Sequence, residues 1–403
     1  MTLKRDNLPR CDINQSGMDL AFVAAPRSGY AARMQTPPTF EIFATAPPGL
    51  EAMLLAEVTE RGFAQAQSVS GGVTFQGGWP EVWRANLELR GATRILARFG
   101  GFMAFHLAQL DKRARKFPWG EVLRPEIPIK VEVTSRKSRI YHAGAAAQRI
   151  ETALTESFGA TLSAEAPVTL KARIDDNKVT FSIDTSGEPL HKRGHKEAVG
   201  KAPMRETLAA LFLRQAGYCG TEPVVDPMCG SGTFVIEAAE IAAGLNPGRT
   251  RGFAFEHLAG FDPAAWEAMR AGPARRSTAL TFHGSDRDAG AIRMSSANAE
   301  RAGVTDLTRF TLAPVSDLAR PEGAPGLVMV NPPYGARIGN KKLLYPLYGA
   351  LGARLKEQFR GWRVGLITSE PALAHATGLP FLPQDPAVPH GGLKIWLFRT
   401  GPL

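Results

Sequence analysis

The first 38 residues carry no sustained hydrophobic period, and Gly17, Pro26, Gly29, Pro37 and Pro38 interrupt every apolar run. A flexible tail is expected over 1–38, with ordered structure from Thr39. Phe40–Thr45 then reads as a strand. Leu50, Leu54, Leu55 and Val58 recur at helical spacing after Gly49, and the pattern stops at Gly62. Val73–Phe75 follows a Gly-Gly turn as a second strand, and a helix is expected near Trp79–Leu89. This order makes a small α+β unit. Further on, Ile127–Thr134 reads as a strand, Ser135–His142 as a basic loop and Ala143–Phe158 as a helix. Val168–Ile174 and Val179–Ile183 alternate apolar and polar residues around Asp175, Asp176 and Asn177, which is a hairpin pattern.

After Pro203 the pattern changes. A helix (Arg205–Ala216), a strand (Pro223–Val225), a Gly-rich turn and a helix (Thr233–Ala243) are followed by strands near Thr281–Gly284, Arg309–Leu312 and Leu327–Val330. Leu343–Phe359 reads as a helix, Trp362–Thr368 as a strand and Gly392–Arg399 as a closing strand. Alternating strands and helices predict an α/β domain with a parallel, doubly wound sheet. Residues 245–280, with their Pro, Gly and aromatics, read as an inserted connection, and no internal repeat is present.

Composition narrows the class. The 403 residues are 44% hydrophobic and 21% charged, which excludes a disordered or collagen-like chain. Lys and Arg outnumber Asp and Glu by 48 to 38, a net charge of +10. Between Arg84 and Arg149 there are 14 basic and 5 acidic residues, a balance of +9 within one segment. That concentration points to a nucleic-acid surface. Cys11, Cys219 and Cys229 are too few and too scattered for a disulfide framework or a Cys-based metal site. They fit a reducing cytosol. No apolar run approaches the roughly 18 residues of a membrane span, and Leu20–Ala25 is too short for a signal-peptide core, so a cytoplasmic protein is expected. The stretch His191-Lys192-Arg193-Gly194-His195-Lys196 is a basic linker, and its His-x-x-x-His spacing has no third ligand nearby, so no metal is expected.

Two segments carry chemistry. In Val224-Val225-Asp226-Pro227-Met228-Cys229-Gly230-Ser231-Gly232-Thr233 an apolar strand ends in an acid, and a Gly-x-Gly turn then opens a helix. This is how a doubly wound sheet holds a nucleotide-like ligand at its carboxyl edge. Gly230 and Gly232 are expected to let the backbone approach that ligand. Val235 stands where a dinucleotide binder has its third Gly, and the next strand-end acid, Asp286, lies 60 residues after Asp226. An acid ahead of the glycines suits a cationic ligand better than a diphosphate, and S-adenosylmethionine (SAM) fits. Asp286 would accept from its ribose hydroxyls. The alternative role for either acid is capping the next helix. The second segment is Leu327–Val330 running into Asn331-Pro332-Pro333-Tyr334-Gly335. The prolines remove donors and leave carbonyl acceptors. The Asn amide adds another acceptor and Tyr334 a stacking face. Such a pocket suits a planar base with an exocyclic amino group.

With these motifs in hand, the chain resembles the class I SAM-dependent RNA methyltransferases that carry an N-terminal THUMP domain, and more narrowly the bacterial 23S ribosomal RNA guanine-N2 methyltransferases. The likeness runs through GGVTFQG (71–77), SRIYHAG (138–144), LHKRGHKEAVGKAPMRETLAA (190–210), DPMCGSGTFVIEAA (226–239), HGSDRD (283–288), NAERAG (298–303) and NPPYG (331–335). It implies a ferredoxin-like segment (39–95), a THUMP domain (96–186), a linker (187–202) and a Rossmann-like methyltransferase domain (203–403). It further implies that Asp226, Gly230, Gly232 and Asp286 lie along SAM, with Pro203, Arg205 and Thr207 close by. Asn331, Pro332 and Tyr334 would hold the base, and structured RNA would be gripped by the N-terminal half. Arg136, Lys137, Arg139, Lys192 and Arg193 are the expected RNA contacts. The family's acid after the next strand falls on Pro314, and Asp317 three residues on is the substitute. Some relatives carry a second methyltransferase domain after this one, and with the sequence stopping at Leu403 a second activity is not expected. The competing readings are the same reaction on tRNA, adenine-N6 methylation of DNA, and a non-catalytic RNA-binding assembly factor.

Overall fold

The computed structural model describes residues 39–196, 204–334 and 344–403. The tail expected over 1–38, and Pro203, lie outside the described residues. The first unit comprises β1 (Phe40–Thr45), α1 (Glu51–Glu60), β2 (Ala64–Val69), β3 (Gly72–Gly77), α2 (Trp79–Glu88), β4 (Ile95–Met103), α3 (Leu107–Ala114), β5 (Ile129–Arg136), α4 (Ala143–Ala153), β6 (Val168–Asp175) and β7 (Lys178–Asp184). Its strands make one sheet in the order β2-β3-β1-β4-β7-β6-β5. β4 pairs with both β1 and β7, so the two N-terminal segments read separately from sequence share one sheet. The predicted hairpin turns at Asp176 and Asn177, both with positive φ (49° and 63°), the twist that suits a two-residue connection.

The second unit comprises α5 (Glu206–Gln215), β8 (Val224–Asp226), α6 (Thr233–Ala242), α7 (Pro263–Ala271), β9 (Phe282–Asp286), α8 (Ala289–Ala302), β10 (Thr308–Leu312), β11 (Leu327–Val330), α9 (Leu344–Gln358), β12 (Arg363–Thr368), α10 (Pro371–Ala376), β13 (Val388–His390) and β14 (Leu393–Arg399). The sheet order is β10-β9-β8-β11-β12-β14-β13. Strands β10 to β12 are parallel, and β14 and β13 close the edge antiparallel. Residues of β8 and β11 are all buried, as befits apolar strands covered by helices on both faces. Chain order reverses between β8 and β11, and the crevice beyond their carboxyl ends is where such sheets bind ligands.

A buried ionic cluster joins the units. Arg90, just after α2, places Nη1 2.8 Å from Glu237 and 3.3 Å from Glu240, both on α6. Arg193, ahead of α5, pairs with the same Glu237 and lies 3.3 Å from Glu240, and Arg249 closes on Glu240 at 2.6 Å. Arg193 is only 1% exposed. Its expected role as an RNA contact is therefore corrected: the guanidinium neutralises two buried carboxylates and is not presented to a polyanion.

Candidate active site and nucleic-acid surface

β8 ends in Asp226, whose side chain is buried and accepts the Met228 N–H at 3.1 Å. Burial, reinforced by the neighbouring Asp286 and opposed by that hydrogen bond, pushes its carboxyl pKa up to about 8. The turn that follows is tied to β9: Cys229 N–H donates to Ser285 O at 2.9 Å, and Gly230 N–H donates to Asp286 Oδ2 at 3.0 Å. The other Asp286 oxygen accepts the Asp288 N–H at 3.0 Å, so this carboxylate organises both flanks of the turn. The two glycines differ. Gly230 (φ 52°) faces open space, with nothing within 4 Å of a Cβ built on it. Gly232 (φ 81°) precedes α6, and a Cβ there would sit 2.9 Å from the Ser295 Cβ and 3.2 Å from Phe310. The protein's own packing therefore explains Gly232, and the close-approach argument holds for Gly230 alone.

β11 delivers Asn331 to the neighbouring position on the same edge. Its amide Oδ1 is buried and accepts no hydrogen bond among the described residues. Pro332 is buried, and Tyr348 of α9 donates its hydroxyl to the Pro333 carbonyl at 3.2 Å, bracing the loop from behind. An unsatisfied buried acceptor is costly unless a ligand supplies the donor.

A cleft of about 1010 Å³ lies over this edge. Pro227, Met228, Asp286 and Arg287 form one wall, and Asn331, Pro332, Pro333 and Tyr334 the other. The basic segment ahead of α5 contributes His191, Lys192, Arg193, Gly194 and Lys196, and Arg205 and Glu206 at the start of α5 join them. Asp286 and the Asn-Pro-Pro-Tyr loop thus share one cavity, with buried Asp226 behind it. Thr207 is buried within α5, while Asp317 is exposed and accepts from Ser316 Oγ at 3.0 Å; neither lines the cleft. His191 is half-buried, and burial together with Arg205, Lys192, Lys196 and Arg193 depresses its pKa to about 4, so it stands neutral at pH 7. His195 is buried, and no group of three metal-ligating side chains occurs among the described residues.

Sequence reading missed the wall formed by His390, Gly391 and Leu393. Gly391 and Gly392 (φ 56° and 82°) make a tight β13–β14 turn, and the Gly-Gly pair was the available signal.

The basic loop follows β5 and packs against the β6–β7 turn. Arg136 is exposed and pairs with Asp175 at 2.7 Å, Lys137 takes a positive φ (47°), and the Arg139 N–H donates to Asn177 Oδ1 at 2.9 Å. Arg139 also lies 5.7 Å from the ring centroid of Phe105. Tyr141 is 85% exposed, so cations and aromatic faces alternate at this tip. Lys192 is exposed, pairs with Glu188 and reaches the cleft. Much of the surrounding positive charge is already matched within the fold: Arg94 pairs with Asp184, Arg98 with Glu41 and Arg115 with Asp111.

Comparison with known proteins bears on this arrangement. The family model described as the RMKL-like methyltransferase domain matches residues 193–382, and the RlmL ferredoxin-like domain matches residues 41–96. A protein of Synechocystis named "Putative RNA methyltransferase" is 32% identical over 89% of this chain and 95% of its own length. The chain belongs to the RMKL-like methyltransferase family. The resemblance carried by the linker, Gly-x-Gly and Asn-Pro-Pro-Tyr motifs is borne out, as is a Rossmann-like methyltransferase fold behind a ferredoxin-like domain. Ribosomal RNA large subunit methyltransferase K/L of Chromohalobacter salexigens is 34% identical over 90% of the chain. The chain spans 51% of that protein, and about half the length of the K/L relatives it matches. A crystal structure of "a putative methyltransferase complexed with SAH" superposes with a TM-score of 0.79 at 28% identity, covering 91% of this chain and 98% of its own.

Proposed function

We propose that this chain transfers a methyl group from SAM to the exocyclic N2 amine of a guanine in structured RNA, with 23S ribosomal RNA in the cytoplasm as the substrate. The observation that carries the reading is the orphaned Asn331 Oδ1 in the cleft that Asp286 also lines. The residues fit SAM. Asp226 is a buried carboxylate with no cation among the groups that set its pKa, a site suited to a ligand with an ammonium and a sulfonium. Gly230 leaves the space beside it open, and Asp286 can accept from a ribose. When bound, SAM supplies an electrophilic methyl group. The chain's own residues do the rest. Asn331 Oδ1 and the Pro332 carbonyl accept the two amine hydrogens, and Tyr334 stacks on a base flipped out of its helix. Drawing those hydrogens out of the ring plane weakens the amine's conjugation and frees its lone pair. The proton leaves to solvent after transfer, and rate comes from positioning. No described helix is long and apolar enough to cross a membrane.

The reading is tested by incubating purified protein and labelled SAM with unmodified 23S ribosomal RNA, tRNA and DNA. Label should enter the ribosomal RNA as N2-methylguanine, and label confined to tRNA or DNA would overturn the substrate assignment.

RNA affinity should reside in the first unit and fall steeply with salt, because phosphate contacts release counterions. Charge reversal at Arg136, Lys137 and Arg139 should weaken RNA binding and leave SAM binding unchanged; a flat salt dependence in filter binding would contradict this.

A pH dependence follows from Asp226. Its carboxyl titrates near 8 in the free protein. A cationic ligand favours the ionised form, so SAM binding at pH 7 should release a proton, and affinity should rise with pH and level off above about 8. Folding runs the other way. Between the ordinary carboxylate pKa of about 4 and the raised value, the folded state holds a proton that the unfolded chain has lost, so Asp226 makes stability fall as pH rises. Calorimetry in two buffers of different ionisation enthalpy measures the proton, and Asp226→Asn should abolish it while raising thermal stability at pH 8.

A further inference from the structure

The basic segment ahead of α5 does more than connect the two units. Lys196 carries its ammonium inward, where its side chain is only 10% exposed. Nζ lies 2.7 Å from the Met204 carbonyl, 2.9 Å from Thr233 Oγ1 and 3.3 Å from Glu206 Oε1. An ammonium has three donors, and each has a partner here. Those partners belong to two starts: Met204 and Glu206 open α5, and Thr233 opens α6 directly after Gly232. From the opposite side, Asn298 of α8 donates to the Ser231 carbonyl at 3.0 Å, and Arg301 donates to the His195 carbonyl at 2.8 Å. The turn from Gly230 to Thr233 is thus gripped from α8 on one side and from the linker on the other. Further along α6, Arg193 and Arg90 hold Glu237 and Glu240. Among the described residues, Arg90 reaches these carboxylates from the first unit, Arg193 from the segment ahead of α5, and Arg249 from the chain after α6.

We infer that Lys196 is a positioning residue for the cofactor turn, fixing Thr233 and hence the Gly230–Gly232 backbone in the geometry that receives SAM. This rests on the SAM reading above. Lys196 does not touch the target base, so its loss should raise Kd and KM for SAM and leave RNA affinity in place. The competing role is simple neutralisation of Glu206, which is buried on the same cleft. Burial lowers the ammonium's own pKa and Glu206 opposes that shift, so the pair is mutually dependent.

The experiment measures SAM affinity by calorimetry, with KM for SAM and kcat by methyl transfer, for the full chain and four variants. Lys196→Met should weaken SAM binding by about tenfold or more, as expected for losing hydrogen bonds to a charged group. KM for SAM should rise in step, kcat at saturating SAM should change far less, and RNA affinity should stay within about twofold. Thr233→Ala removes the Lys196 contact to the turn, with the longer 3.5 Å contact to Ser231 Oγ, and leaves the Lys196–Glu206 pair intact; it should weaken SAM binding in the same direction, and Ser231→Ala, which cuts only the Ser231 contact, should not. Lys196→Met combined with Glu206→Gln removes the unpaired buried carboxylate, and should recover thermal stability without recovering SAM affinity. Unchanged SAM affinity in Thr233→Ala overturns the inference even if Lys196→Met fails to fold, and so does wild-type affinity in the double variant. Wild-type protein that does not bind SAM would instead overturn the reading on which the inference rests.

Discussion

Replacing Asn331 with Ala should lower single-turnover methyl transfer by about 10²–10³-fold, the loss typical of removing one positioned polar group from a catalytic site. Asn331 Oδ1 is buried, aligned by β11, and without a partner among the described residues. The loop that carries it is stiffened by Pro332 and Pro333 and braced by the Tyr348 hydroxyl, so the acceptor is fixed before the base arrives. With Ala in its place the amine keeps its conjugation and loses its alignment. SAM affinity should barely move, because the contacts assigned to it lie on β8 and β9. Tyr334→Ala should weaken base capture through lost stacking, of about 1–3 kcal/mol, whereas Tyr334→Phe keeps the ring and most of the activity. Transfer from labelled SAM to unmodified ribosomal RNA checks both. Near wild-type rates in Asn331→Ala would make the loop structural.

The second large effect is on stability. Arg193→Met should destabilise the fold by about 3–5 kcal/mol, since breaking a buried ion pair leaves uncompensated charge. Glu237 and Glu240 are essentially inaccessible to water, and Arg193 is one of the cations that match them. The thermal midpoint should drop by about 5 °C. RNA affinity, measured below that midpoint, should not change. An unaltered midpoint with weakened RNA binding would reinstate Arg193 as a surface contact.

Arg193 also illustrates what sequence can and cannot convey. The run His191–Lys196 reads as basic whatever its burial, because charge is a property of composition and burial a property of the fold. The signal for its true role lay 44 residues away, in the two acids of an otherwise apolar helix, TFVIEAAEIA. Buried carboxylates require cations, and the nearest basic linker supplies them. The Gly-x-Gly turn was legible because a positive φ and a strand-to-helix junction leave few alternatives to glycine, yet only geometry separates Gly230, which faces open space, from Gly232, which packs on Ser295 and Phe310.

The strands missed from sequence have physical reasons. β4 contains Gly100 and Gly101, which break its apolar alternation; the register shifts between Arg98 and Gly100, and a Cβ at Gly101 would collide with the Val179 carbonyl. β2 is an outermost strand of small and polar residues, almost all exposed, so no buried face writes a pattern into it. α7 lay inside the stretch read as a connection, although Asp262 caps it and Pro263 opens it in the usual way. The parallel strands β8 and β11 were plain because both faces are buried and the sequence is apolar up to the terminal Asp226 of β8 and throughout β11.

The central claim is that the cleft methylates the N2 amine of guanine in ribosomal RNA. Nucleoside mass spectrometry of 23S ribosomal RNA from a strain lacking this protein tests it most directly. The account predicts loss of one N2-methylguanine, restored by the wild-type chain and not by Asn331→Ala. An unchanged N2-methylguanine content in ribosomal RNA, with the loss appearing instead in tRNA or as N6-methyladenine in DNA, would contradict it.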